Sequence, residues 1–129
     1  VLVTGGAGFI GSHVVDCLLD EGLIVRVLDD LSTGKLENLP FLEAGLEFMQ
    51  GSVVDKSCVA QACQNVDAVI HLAALVSVPA SIAHPDQSAA TNLLGFHNVL
   101  DTLRAQDFKG RLLYASSAAV YGVDVGGAH

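Results

Sequence analysis

The feature that most constrains this chain is the octet Thr4-Gly5-Gly6-Ala7-Gly8-Phe9-Ile10-Gly11, set between two periodic segments. Before it, Val1-Leu2-Val3 reads as a short buried strand. After it, Ile10, Val14, Cys17 and Leu18 recur at helical spacing, with Gly22 as a natural stop. Gly6, Gly8 and Gly11 satisfy a G-x-G-x-x-G fingerprint, while Gly5, Gly8 and Gly11 give the related G-x-x-G-x-x-G spacing. Glycine is needed there because the turn is tight and a side chain would block close approach by a phosphate. Gly11 lets the helix pack directly against the strand. The helix start then offers unpaired N–H groups and a partial positive charge to the anion. A glycine pattern alone is a weak signal, since ordinary turns carry it too. Here it joins a strand to a helix, and Asp29 follows Gly11 by eighteen positions at the end of the next apolar run. A carboxylate about 20 residues on is within reach of ribose hydroxyls, so the combination predicts a dinucleotide site. Asp29 would accept from a ribose diol and repel a 2′-phosphate, which favours NAD over NADP. Of the nearest basic residues, Arg26 reads as a surface or edge side chain and Lys35 is within reach.

The rest of the chain alternates in the same way. Further strands are expected over 23–28, 46–49, 67–72 and 111–116, and helices over 56–64 and 86–106. In the long helix Leu93, Phe96, Leu100 and Leu103 fit one face. Pro79 and Pro85 bracket a loop, and Pro40 argues against one long helix over 35–45. Such alternation predicts an α/β fold: a doubly wound parallel sheet of Rossmann type, incomplete, with order 3-2-1-4-5 for the part present. Residues 1–129 form one NAD-binding domain on this reading. A composition 51% apolar and poor in aromatics suits strands buried on both faces.

A formal charge of -8, with only six scattered basic residues, argues against a nucleic-acid partner. No apolar run reaches transmembrane length, so no membrane is expected. Cys17, Cys58 and Cys63 lack metal-type spacing and fall in helical segments, where cysteine acts as a small buried hydrophobe. A reducing cytoplasm is the natural compartment. His, Asp and Glu do not fall at metal-ligand spacing, so no metal is proposed. The chain opens inside a strand without Met and closes on Gly126-Gly127-Ala128-His129, so it is expected to be part of something longer.

Four segments together resemble the extended short-chain dehydrogenase/reductase family, in its nucleotide-sugar epimerase and dehydratase branch. Thr4 to His13 is similar to the family's TGGAGFIGSH opening, and Asp29-Asp30-Leu31-Ser32-Thr33-Gly34 to its D-[ND]-L-S-T-G loop. His71-Leu72-Ala73-Ala74 resembles its HLAA segment, and Ser116-Ser117-Ala118-Ala119-Val120-Tyr121-Gly122 its S-S-x-x-V-Y-G motif. The resemblance implies that Gly5, Gly8 and Gly11, with the Phe9 and Ile10 amides, hold the pyrophosphate of NAD. It implies that Asp29 holds the adenosine ribose, helped by Asp30, Leu31, Ser32, Thr33 and Gly34. Leu72, Ala73, Ala74 and Leu75 would line the middle of the cofactor, Val53 would sit beside the adenine, and Ser117 would be catalytic. Two departures weaken single contacts: Ser52 stands where the family usually has Asp toward the adenine, and Val76 where a polar residue is common. A third is an absence. Tyr114 is followed four positions on by Ala118 and Tyr121 by Val125, so neither supplies the family's Y-x-x-x-K base. The catalytic Tyr and Lys and the sugar-binding domain are expected beyond residue 129, and the 129-residue piece alone is expected to be inactive.

Within that family, Ala118-Ala119 stands where dehydratases carry an acid pair, and two methyl groups move no proton. The implied activity is NAD-dependent 4-epimerisation of a UDP-hexose, by transient hydride transfer through a 4-keto sugar. A homodimer is compatible with that resemblance. A dehydratase or reductase of the same family, and a non-catalytic NAD-sensing module, remain open alternatives. By position alone, Ser116 and Ser117 would as readily satisfy backbone groups at a strand end; the resemblance selects Ser117 for catalysis. His71 closes a buried strand, where a neutral imidazole bonded to backbone is expected. His13 and His84 read as surface or capping residues, and Asn92 and Gly95 as packing residues of the long helix.

Overall fold

The computed structural model describes residues 1–40 and 44–122. Val125 and the closing Gly126-Gly127-Ala128-His129 lie outside the described residues. Five strands, β1 (Leu2–Thr4), β2 (Val25–Asp29), β3 (Leu46–Gln50), β4 (Ala68–His71) and β5 (Arg111–Tyr114), form one parallel sheet. Its order is β3-β2-β1-β4-β5, as expected. Alternation along each strand sends side chains to opposite faces. Leu2, Leu28 and Val69 enter one core with Val59, Val99 and Leu103; Val3, Val25 and Val27 enter the other with Val15 and Leu19. The central strands are thus apolar on both sides, as a covered parallel sheet requires.

The first core is roofed by α2 (Lys56–Ala62) and α5 (Gly95–Ala105), the second by α1 (Phe9–Asp20). The register of these helices differs from the periodicity reading. In α1 the buried residues are Gly11, Ser12, Val15 and Leu19, while Ile10 is 66% exposed and Cys17 also faces out. Gly11 sets this rotation. A Cβ there would strike the Gly5 carbonyl oxygen and lie 2.7 Å from the Gly6 Cα. The helix therefore turns Gly11 inward, and its i+4 and i+8 neighbours, Val15 and Leu19, follow. The long helix behaves alike: Gly95, Asn98, Val99, Thr102 and Leu103 are buried, whereas Leu93 is 71% exposed. A Cβ at Gly95 would lie 2.6 Å from Val53 Cγ2, so the small residue again faces in.

Two further corrections concern 78–105. The segment between the prolines is a helix, α3 (Val78–Ala83), because Ser77 caps it by accepting from the Ala80 N–H and Pro79 sits in its first turn, where a missing N–H costs nothing. The following helix, α4 (Pro85–Ala89), runs into α5 through a π-helical turn at Ala90–Leu94. His84 joins α3 to α4 and caps both, as expected. One short 3-10 turn (Leu36–Asn38) occupies the segment that Pro40 left ambiguous. Of the cysteines only Cys63 is buried, and burial pushes its thiol up to about 11. No described helix is long and apolar enough to cross a membrane.

Asn98 is the polar pin of α5. Its Nδ2 donates to the Val53 and Val54 carbonyls, each at 3.0 Å, and so ties the helix to the loop after β3. Asn98→Leu should lower unfolding stability by about 1–3 kcal/mol, the cost of leaving buried acceptors unmet. Urea denaturation checks this; a midpoint equal to wild type would contradict the role.

Candidate functional site

At the carboxyl edge of β1 the chain turns through Gly5, whose φ is +70°. Its N–H donates to the Leu28 carbonyl at 2.8 Å, so the turn stays bonded to β2. A Cβ at Gly5 would lie 2.7 Å from the Ala73 nitrogen, and one at Gly6 2.8 Å from the Val27 methyls. Gly8 is different. A Cβ there meets only the Gly5 oxygen, at 3.3 Å, and otherwise points into open space. Gly8 also caps α1 without any side-chain hydrogen bond, and the first helical bond runs from the Ser12 N–H to the Gly8 carbonyl at 2.9 Å. The amides of Phe9, Ile10 and Gly11 therefore have no carbonyl one turn back. No acid occupies that turn to compete for them. Open amides, a positive helix end and a glycine with open space beside it are the features an anion cradle requires.

The acid at the end of β2 is bound into this cradle. Asp29 is 8% exposed; its Oδ2 accepts from the Ala7 N–H at 2.9 Å and its Oδ1 from the Leu31 N–H at 2.8 Å. Each oxygen keeps a further lone pair, so a ribose diol can still donate to it. Bonding to Asp29 also supports Leu31, whose φ of 60° is unusual for a large side chain. Ala7 is clasped from the other side as well, where its carbonyl accepts from the Lys35 N–H at 3.0 Å and from Asn38 Nδ2 at 2.9 Å. Gly34 closes against Ala7, since a Cβ would lie 2.9 Å from its carbonyl carbon. Asp30, Ser32 and Thr33 are exposed, and Asp30 Oδ1 accepts from the Ser32 N–H. Arg26 is engaged elsewhere, by Glu47 at 2.8 Å and by the Ala62 and Gln64 carbonyls. Lys35 pairs with Glu37 at 3.3 Å on the surface.

On the far side of β1, the segment after β4 is held by two side chains, Thr4 and Asn92. Thr4 Oγ1 accepts from the Leu72 and Ala73 N–H groups at 3.2 and 3.3 Å. Asn92, in the π-helical turn, accepts from the Leu75 N–H at 2.8 Å and donates to the Leu75 carbonyl at 3.1 Å. His71 was expected to bond to backbone; its partner is instead the Thr4 hydroxyl, at 2.8 Å from Nδ1. Burial pushes this imidazole down to about 4, so it is neutral near pH 7. Ala74 is exposed, while Ala73 and Leu75 are half-buried. Val53 is turned into the core, 4% exposed, so only its backbone is left for a ligand at the rim. Ser52 Oγ accepts from the Val54 N–H at 3.3 Å.

Ser116 and Ser117 both lie exposed beyond β5. Ser117 caps a 3-10 turn (Ala118–Tyr121), its Oγ accepting from the Ala119 N–H at 3.2 Å. That contact uses a lone pair and leaves the hydroxyl proton free to donate. Thr4, Asn38 and Asn98 are the residues the sequence reading passed over as site-shaping groups, whereas Asn92 was singled out there for packing. Of the three, only Asn98 left a signal, as a poor helix former inside a helical segment. Among the described residues, no three His, Cys, Asp or Glu side chains cluster as a metal site would require.

The model of the NAD dependent epimerase/dehydratase family matches residues 1–127. UDP-glucose 4-epimerase of Yersinia enterocolitica is 38% identical over 128 residues, covering 95% of this chain and 38% of the relative. Among solved structures, UDP-glucose 4-epimerase of Thermus thermophilus in complex with NAD is 41% identical, with a TM-score of 0.86 over 99% of this chain and 41% of that one. The Thermotoga maritima UDP-glucose 4-epimerase with UDP-glucose is 38% identical, with a TM-score of 0.87 over 96% of this chain and 40% of that one. The chain thus spans about two-fifths of the length of these relatives. With the glycine cradle, the β2 acid and the fold all in agreement, this chain belongs to the NAD dependent epimerase/dehydratase family.

Proposed function

We propose that residues 1–129 are the NAD-binding domain of a UDP-hexose 4-epimerase of the UDP-glucose/galactose type. The observation that carries this reading is Gly8. The cradle at α1 stays open toward the sheet edge because Gly8 lacks a Cβ, and a Cβ there would press on the protein at one point alone, the Gly5 carbonyl oxygen at 3.3 Å. A diphosphate fits the three free amides around it. Asp29 and Asp30 then take the adenosine ribose, with Leu31, Ser32, Thr33 and Gly34 closing over it. Ser52 and the Val53 backbone border the adenine, and Leu72, Ala73, Ala74 and Leu75 border the middle of the dinucleotide.

When bound, NAD supplies the reversible hydride acceptor by which C4 of the sugar passes through a ketone and back. The residues of this chain bind and orient. Ser117 donates a hydrogen bond, keeping its own proton, to the sugar oxygen as that oxygen gains carbonyl character, which stabilises charge where it develops. Ala118 and Ala119 offer no acid or base, which favours epimerisation over loss of water. The ligands of the two solved relatives, NAD and UDP-glucose, support the same pairing of cofactor and substrate.

Three substitutions test the assignment in separate ways. Gly8→Val should remove NAD binding, measured by calorimetry, at a smaller loss of melting temperature than Gly11→Val, whose side chain would displace the Gly5 backbone. Equal NAD affinity before and after Gly8→Val would sink the cradle. Wild-type protein should prefer NAD to NADP, and the reverse order would sink the Asp29 assignment. In the full-length protein, Ser117→Ala should lower turnover of the UDP-hexose by about 10² to 10³ with NAD binding unchanged; undiminished turnover would remove Ser117 from the reaction.

A further inference from the structure

Thr4 is fully buried, and its hydroxyl stands at a junction of three hydrogen-bonding groups. A hydroxyl has one proton to give and two lone pairs to accept with. Both lone pairs are used by amides: Leu72 N–H at 3.2 Å and Ala73 N–H at 3.3 Å. The single proton is left for the third group, His71 Nδ1, at 2.8 Å. If Nδ1 carried a proton of its own, the hydroxyl would face three donors, and its own proton would have none of them to go to. The imidazole therefore accepts at Nδ1 and carries its proton on Nε2. Its ring is held in plane by Phe96, stacked at 5.3 Å, which in turn meets Tyr114 at 5.0 Å.

We propose that His71 is a positioning residue for the cofactor edge: by accepting from Thr4 it turns the Thr4 lone pairs onto the Leu72 and Ala73 amides and so sets the height of that segment beside the glycine turn. The Leu72 N–H has a second acceptor in the Thr4 carbonyl at 3.0 Å, so the Ala73 amide depends more on the hydroxyl. Ala73 is also the residue whose nitrogen a Cβ at Gly5 would meet at 2.7 Å. The chain His71, Thr4, Ala73, Gly5 thus links the end of β4 to the phosphate turn by contact at every step. The consequence for NAD rests on the function proposed above; the tautomer and the order of the Ala73 amide do not.

The test uses two kinds of readout. Nitrogen-15 NMR of the protein near pH 7 should show His71 with an unprotonated Nδ1 and a protonated Nε2; a protonated Nδ1 overturns the proposal. Hydrogen exchange at the Ala73 amide should speed up in Thr4→Val and in His71→Leu, and should return toward wild type in His71→Asn, whose Oδ1 restores an acceptor. Unchanged exchange in His71→Leu, or no rescue by His71→Asn, also overturns it. Calorimetry should give NAD binding roughly three- to tenfold weaker in each of Thr4→Val and His71→Leu, as for one lost neutral hydrogen bond. The double variant should be no weaker than Thr4→Val alone; independent, additive losses would separate the two residues and refute the relay. Wild-type protein that fails to bind NAD, with the NMR and exchange results as expected, would overturn the cofactor function and leave the positioning of Ala73 established.

Discussion

The first turn of α1 meets the end of β1 backbone to backbone, at Gly11 against Gly5 and Gly6. Most of the ligand edge depends on that contact. It sets the rotation of α1, so that Val15 and Leu19 enter the core and Phe9 and Ile10 stay at the rim with their amides open. It also brings the positive end of the helix as close to the sheet as two backbones allow, which is where the helix field is strongest. A larger residue at Gly11 would lift the helix and rotate it, and the amides of the cradle would no longer converge.

Around that contact, loops rather than strands form the rim, and loop backbone lacks ladder partners. Short polar side chains supply them instead. Asp29, with Asn38 and the Lys35 amide, holds Ala7 from both of its polar groups. Thr4 and Asn92 hold the segment from Leu72 to Leu75 from opposite ends. Asn98 holds the Val53 and Val54 carbonyls. Each of these side chains is short, and Thr4, Asp29 and Asn98 are buried, so the geometry costs little side-chain entropy and is in place before a ligand arrives.

Asp29 and Ser117 show how a side chain that serves the fold can keep hydrogen-bonding capacity in reserve. Both accept backbone N–H groups, and both retain capacity that faces outward: lone pairs on the carboxylate, a proton on the hydroxyl. A structural role for such residues, read from position alone, therefore does not exclude the functional one proposed above. The backbone contact fixes the orientation that the second role needs.

The chain's periodicity and glycine spacing were enough to determine the doubly wound sheet, its strand order and the place of the cradle, because those follow from alternation, right-handed crossovers and turn sterics over short stretches. The placement of Asp29 at the end of β2 and of Ser117 just beyond β5 was likewise legible from the apolar runs before them. The helix faces were not. Ile10 and Leu93 belong to apolar stripes, yet they lie outside because Gly11 and Gly95 must face Gly5 and Val53, residues whose placement the local pattern does not carry. The loop anchors were hidden for the same reason, since Thr4 and His71 are 67 residues apart and Asn98 and Val53 are 45. The partner of a short polar side chain is chosen by which backbone groups tertiary packing buries beside it, and that choice exists only once the sheet has been assembled.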